Sequence, residues 1–269
     1  MADFSRRDAA RALLLWYRDM GVDEAVGPAP AEFFAAADRA PRADSPSSAP
    51  PRAIPQATVA AAGPAIPADE AALKADAAAR GCATFEALAE AVAAFDGCPL
   101  KAGARTTVFT DGVPGAPLLV IGEAPGRDED RLGKPFVGRA GQLLDRMLAA
   151  IGRSRATDAL ISNVVYWRPP GNREPTQIEI AICRPFVDRL IELTRPRAIL
   201  LAGAAPTRAL LGVNGIMRAR GVWREIETGG GAKFPALPIF HPAFLLRQPA
   251  QKRLAWSDLL ALAARLTDD

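Results

Sequence analysis

Histidine is almost absent: the 269 residues contain a single imidazole, His241, so any chemistry that needs one must use that side chain. Cysteine is scarce too. Cys82, Cys98 and Cys183 are widely spaced, form no CxxC pair and are odd in number, which speaks against a disulfide framework. No run reaches the apolar length of a membrane helix. The opening MADFSRRDAARALLLWYRDMG mixes acids and bases and lacks a small-residue cleavage site. It reads as an amphipathic helix rather than a secretion signal, and the expected location is cytoplasmic.

Net charge is modest at +3, but it is unevenly spread: residues 1–96 carry 9 Lys/Arg against 14 Asp/Glu, and residues 97–269 carry 24 against 16. A basic second half suits a polyanionic partner such as nucleic acid, although a basic soluble enzyme would look the same.

Three parts are expected along the chain. Residues 1–26 form the N-terminal amphipathic helix. Residues 27–68, rich in Pro, Ala and Ser, form a linker too poor in large apolar side chains to hold a core. Residues 69–269 form the folded domain. Helical patterns cover 69–80 and 84–95. Thr84 can cap the second, with Glu86 in its first turn, but Ala87 at the third position leaves no full capping box. Beyond Cys98 short apolar runs alternate with helical segments. The expected strands are Thr107–Phe109, Leu118–Ile121, Ala159–Ser162, Ala198–Ala202 and Ala236–Phe240. Helices are expected near 140–151, 176–194, 204–211 and 250–266. Such alternation predicts an α/β fold with a mostly parallel sheet covered on both faces.

Ligands in open parallel sheets sit beyond the carboxyl ends of the strands. The unusual polar motifs fall there: GEAPGRDED after Ile121, Asn163 after Ser162, and HPAFLLR after Phe240. Each alone is ordinary loop chemistry, but three together predict one cleft built from distant segments. Gly122–Gly126 punctuate a tight turn, and the acids at 128–130 could act on water or a metal. Pro135-Phe136 offers a ring on a stiff loop for stacking on a flat ligand. GxGxxG spacing is lacking, which excludes a dinucleotide fingerprint.

GEAPGRDEDRLGKPFVGRAGQLLDRML, ISNVVYWRPPGNREP, HPAFLLRQP and KRLAWSDL, in this order and at these intervals, resemble the family 4 uracil-DNA glycosylases. The resemblance runs from about residue 90 to 266 and leaves the N-terminal third outside. It implies a three-layer α/β/α sandwich around a central four-stranded, mostly parallel sheet. It also implies a monofunctional DNA-repair glycosylase that flips deoxyuridine out of single- or double-stranded DNA and releases free uracil. The abasic site left behind would feed base excision repair, with no strand cleavage: neither Lys134 nor Lys252 acquires a catalytic role from the resemblance. A monomer is expected.

Site roles follow residue by residue from the resemblance. Phe136 would stack on the base. The Asn163 amide would read its Watson–Crick edge, accepting from N3–H and donating to O4. His241 would donate to O2, where negative charge grows as the base departs. Glu123 would position the attacking water and offset the cationic sugar, and backbone near Ala124 and Gly126 would line the pocket. Family 1 relatives carry Tyr where this chain has Gly126, and Asp where it has Ala124. Thymine exclusion would therefore pass to Glu129. Arg168, Asn172 and Arg173 would touch phosphate, and Leu245, Leu246 and Arg247 would wedge into the vacated stack. The RPPGNR loop has no His, so the covalent DNA capture of a related subgroup is excluded.

The chain departs from the family at the 4Fe–4S cluster that the resemblance implies. Two of its ligand positions keep Cys98 and Cys183, and the other two hold Phe95 and Trp167, which cannot replace thiolates. Cys82, 16 residues before Cys98 on a helical pattern, is a poor substitute. No cluster and no other cofactor are expected, the aromatic pair filling the vacated volume. Two other functions compete: a DNA-binding protein that recognises uracil or damage without cutting, and an RNA or nucleotide hydrolase on the same fold.

Overall fold

The structure, a computed structural model, describes residues 67–267. The expected helix over 1–26 and linker over 27–68 lie outside the described residues, save that Ala68 already opens the first helix described.

That helix, α1 (Ala68–Arg80), is Ala-rich and carries Asp69 and Glu70 in its first turn, where the helix dipole favours acids. In α2 (Phe85–Ala94) the Thr84 hydroxyl accepts from Ala87 N–H at 3.2 Å, a cap without the full box. Strand β1 (Asp111–Gly112) is followed by β2 (Leu118–Gly122), α3 (Arg127–Leu132), α4 (Arg139–Ala149) and β3 (Ala159–Asn163). The long α5 (Gln177–Thr194) starts from a capping box in which Thr176 and Glu179 satisfy each other's backbone N–H groups. β4 (Ala198–Ala202), α6 (Ala204–Leu211), α7 (Ile216–Ala219), β5 (Arg224–Glu227), β6 (Lys233–Ile239), α8 (Pro242–Arg247) and α9 (Lys252–Thr267) complete the series.

The sheet order is β1-β3-β2-β4-β6-β5. The inner β3, β2, β4 and β6 are mutually parallel, as expected for a four-stranded centre, and antiparallel β1 and β5 extend it to six. β2, β3 and β4 are buried at every position, which is why they read as unbroken apolar runs. Alternate residues serve opposite faces. Leu119, Ile121, Leu160, Ile199 and Leu201 pack with α1, α2 and α5; Leu118, Val120, Ile161 and Leu200 pack with α4, α8 and α9. Three layers result.

Thr107–Phe109 is not a strand. Val108 N–H donates once, to Tyr166 O at 2.8 Å, while the Phe109 carbonyl is taken by the Ser162 hydroxyl at 2.8 Å. A side chain occupies a ladder position, so pairing begins only at Asp111. β5 was not expected from the sequence, because Ile226 is its single buried residue among charged neighbours.

The loop after β2 leads to α4 on one face, whereas β3 and β4 are followed by α5 and α6 on the other. The carboxyl edge of β2 is therefore a switch point where a crevice opens.

Candidate active site

At that edge Gly122 ends β2 beside Asn163, which ends β3. A Cβ on Gly122 would lie 2.5 Å from Asn163 Oδ1 and would overlap the Phe136 ring. Glycine here allows the ring and the amide to come together. Asn163 is 2% exposed, and neither its Nδ2 nor its Oδ1 has a hydrogen-bond partner among the described residues. A buried amide with both ends unpaired costs stability and points to a missing ligand.

Phe136 is buried and held at φ +53°. Such a conformation in a bulky residue costs about 1 to 3 kcal/mol and persists only where its surroundings enforce it. Its ring stacks towards the His241 imidazole, with centroids 5.7 Å apart and planes inclined by 30°.

His241 caps α8. Its Nδ1 accepts from Ala243 N–H at 3.1 Å, which leaves Nε2 to carry the proton of the neutral ring. Burial, reinforced by the Arg247 charge and opposed by Glu129, lowers the imidazole pKa to about 4. At neutral pH His241 is therefore an uncharged Nε2–H donor.

Glu123 lines the same cleft, of about 560 Å³, with Ala124, Gly126, Glu129, Phe136 and His241. Burial raises its pKa, the Glu174 carboxylate adds to the rise, and Arg208 opposes it. Glu174 and Arg208 form an ion pair. Sequence reasoning missed this pair: Glu174 lies near the end of the ISNVVYWRPPGNREP motif, but its partner Arg208 lies outside the motifs.

Glu129 braces two loops. Its Oε2 accepts from Gly126 N–H at 3.1 Å, and Oε1 accepts from Val137 and Gly138 N–H at 3.0 Å each. A side chain starting at Gly126 would point into this carboxylate, since its Cβ would fall 2.6 Å from Oε2. Asp130 is structural, accepting from Arg105 N–H at 2.8 Å, and Asp128 is exposed.

Around the rim the placements differ from one another. Arg247 is exposed and lines the cleft with Pro169, Asn172 and Arg173. Arg168 Nε donates to Asn172 Oδ1 at 2.7 Å. Arg173 commits both terminal nitrogens to buried Glu179, at 2.9 and 2.6 Å, so its charge is already matched. Leu245, expected as part of the wedge, is 1% exposed and packed in the core with α4 and α9. The short α8 buries Pro242 and Leu245 on one face and leaves Leu246 half-buried.

Phe95, Cys98, Trp167 and Cys183, the positions that the resemblance assigns to cluster ligands, belong to the other core. The Phe95 ring meets Phe186 edge-on at 5.1 Å and folds over Gly97, where a Cβ would fall 2.5 Å from its Cζ. Trp167 is fully buried, with its indole N–H donating to Thr107 Oγ1 at 3.0 Å. The Cys98 and Cys183 thiols are buried, and their mutual interaction lowers the Cys98 pKa and, with burial, raises that of Cys183. Cys82 instead donates to Ala78 O at 3.1 Å. Among the described residues no group of three or more His, Cys, Asp or Glu could hold a metal ion.

Residues 109–260 match the model of the uracil DNA glycosylase superfamily. The type-4 uracil-DNA glycosylase of Archaeoglobus fulgidus is 40% identical over 159 residues, covering 55% of this chain and 79% of the relative. That of Thermotoga maritima is 38% identical over 181 residues, covering 65% and 91%. That of Sulfurisphaera tokodaii is 34% identical over 183 residues, covering 65% and 81%.

Proposed function

Since this chain belongs to the uracil DNA glycosylase superfamily, among the type-4 uracil-DNA glycosylases, we propose that it hydrolyses the N-glycosidic bond of deoxyuridine in single- and double-stranded DNA. Free uracil and an abasic site in an uncut strand are the products.

The observation that carries this reading is the unpartnered Asn163 amide, buried against Phe136 at the edge of the cleft. Uracil offers the complement: N3–H for Oδ1 and O4 for Nδ2. Phe136 stacks on the base. His241 Nε2–H donates to O2, and a neutral donor suits a site where charge appears only as the bond breaks. Glu123 holds the attacking water and faces the cationic sugar, with Ala124 and Gly126 lining the base slot. The Glu129 carboxylate, fixed by three backbone N–H groups, fills the space a side chain at position 126 would take. It thereby supplies a rigid wall against a 5-methyl group. Arg168, Asn172 and Arg247 meet the phosphates, Arg173 serves the loop through Glu179, and Leu246 is left as the wedge.

The residues present do not fit a 4Fe–4S cluster. Of the four positions that the resemblance gives to cluster ligands, two hold buried thiols and two hold buried rings, so no step is routed through iron. No described helix is long and apolar enough to cross a membrane, and we place the enzyme, as a monomer, in the cytoplasm.

The test is excision from a uracil-containing oligonucleotide followed by alkali. Wild type yields nicks; His241→Ala and Glu123→Ala each lose about 100- to 1,000-fold in single-turnover rate. A wild-type protein that binds the oligonucleotide but leaves it alkali-resistant would be the non-cutting binder. Equal rates for all three would remove the site assignment.

A further inference from the structure

We propose that Arg155, in the turn between α4 and β3, is a positioning residue that sets the base-stacking ring by holding the backbone of Pro135 and Phe136. This rests on the reading of Phe136 as the uracil stack.

The guanidinium reaches three elements at once. Nη1 donates to Pro135 O at 3.0 Å and Nη2 to Phe136 O at 2.8 Å. Nε donates to Asp145 of α4 at 2.8 Å, and Nη1 also meets Asp111 of β1 at 2.9 Å. The Arg155 side chain is only 18% exposed, so these bonds are largely shielded from water. Asp111 is tied in turn to Lys134 at 3.1 Å. Burial alone would raise the Asp111 pKa, but hydrogen bonds from Arg155 and Lys134 outweigh it and keep the carboxyl ionised well into acid.

Phe136 needs this support. Its left-handed backbone is disfavoured for a large side chain, and its carbonyl packs where any Cβ on Gly141 would collide with it. Glu129 holds the chain from the far side through Val137 and Gly138. The carbonyls of Pro135 and Phe136 have Arg155 as their clamp, and two successive carbonyls require two parallel N–H groups. A lysine could still balance Asp111 and Asp145, but a compact ammonium does not reproduce the planar fork. Arg155→Lys therefore separates charge balance from positioning.

The experiment is a double-mutant cycle between Phe136→Ala and Arg155→Lys on the full-length protein. It reads single-turnover excision from a uracil-containing single strand, inhibition by free uracil, affinity for uracil-free DNA and melting temperature. The expected result is that Arg155→Lys slows excision about 10- to 100-fold and weakens uracil inhibition, with affinity for uracil-free DNA unchanged. The double variant should be no slower than Phe136→Ala alone. A wild-type rate for Arg155→Lys, or losses that multiply in the double variant, would overturn the inference. A wild-type rate for Phe136→Ala would instead remove the stacking reading, and this inference with it. Should Arg155→Lys fail to fold, Asp145→Asn substitutes, since it loosens the Nε side and leaves the carbonyl contacts. A loss that disappears in the Phe136→Ala background supports the proposal, and one that persists there overturns it.

Discussion

His241 and Glu123 titrate in opposite directions from their usual values for one reason, removal of the charged form from water. The imidazole, near 4, stays neutral through the physiological range, while the carboxylate is harder to ionise. With the role proposed for Glu123, the acid limb of the kcat/KM profile is expected to belong to it. Glu174 raises the Glu123 pKa and Arg208 lowers it, so Glu174→Gln should move that limb to lower pH, checked by excision rates across a pH series. An unmoved limb would show that another group sets it. For folding, the unfolded imidazole takes its proton near 6.5 and the folded one only near 4. The stability associated with neutral His241 is present in full above pH 6.5 and is lost as pH falls towards 4. That Asn163, Phe136 and His241 would come together was legible because long motifs surround them. Arg155, Glu174 and Arg208 were not, because their roles come from contacts across elements that no local spacing encodes. The burial of Leu245 was not legible for a related reason: a linear motif does not say which way a short helix turns.

Helix α4 shows how an element's first turn can serve a site rather than the helix. Gly141 lies inside it, where alanine is ordinarily favoured by about 1 kcal/mol. Propensity alone predicts that Gly141→Ala stabilises. The structure predicts the opposite, because the added methyl would occupy the Phe136 carbonyl. Excision should fall at least tenfold, a figure of about the size expected for a displaced stacking group, with a lower melting temperature in a thermal scan. The long, strongly patterned elements could be read directly: α5 from its long helical pattern, β2 and β4 from unbroken runs. The failures were short or mixed segments. At Thr107–Phe109 a serine hydroxyl competes for the ladder, and in β5 a single inward isoleucine gives no period to detect.

At the scale of the whole molecule, and on the reading proposed above, hydrophobic packing stands where a metal staple would otherwise join the loop after α2 to α5. Protein purified from iron-replete cells should carry well under one cluster per chain by iron assay and absorbance. Trp167→Ala should lower unfolding free energy by about 3 to 5 kcal/mol in a denaturant titration, since it empties a fully buried indole site. Stoichiometric iron would overturn the first expectation, and a loss below about 1 kcal/mol the second. The α/β layering was legible because strand and helix periods alternate cleanly. The two antiparallel borders were not, and they carry a consequence of their own. One border is two residues long; the other exposes one arginine and two glutamates around a single buried isoleucine. Among the described residues, neither rim gives a sister molecule a long, neutral row of amides to zip onto, so the sheet resists growing by accretion even in crowded solution.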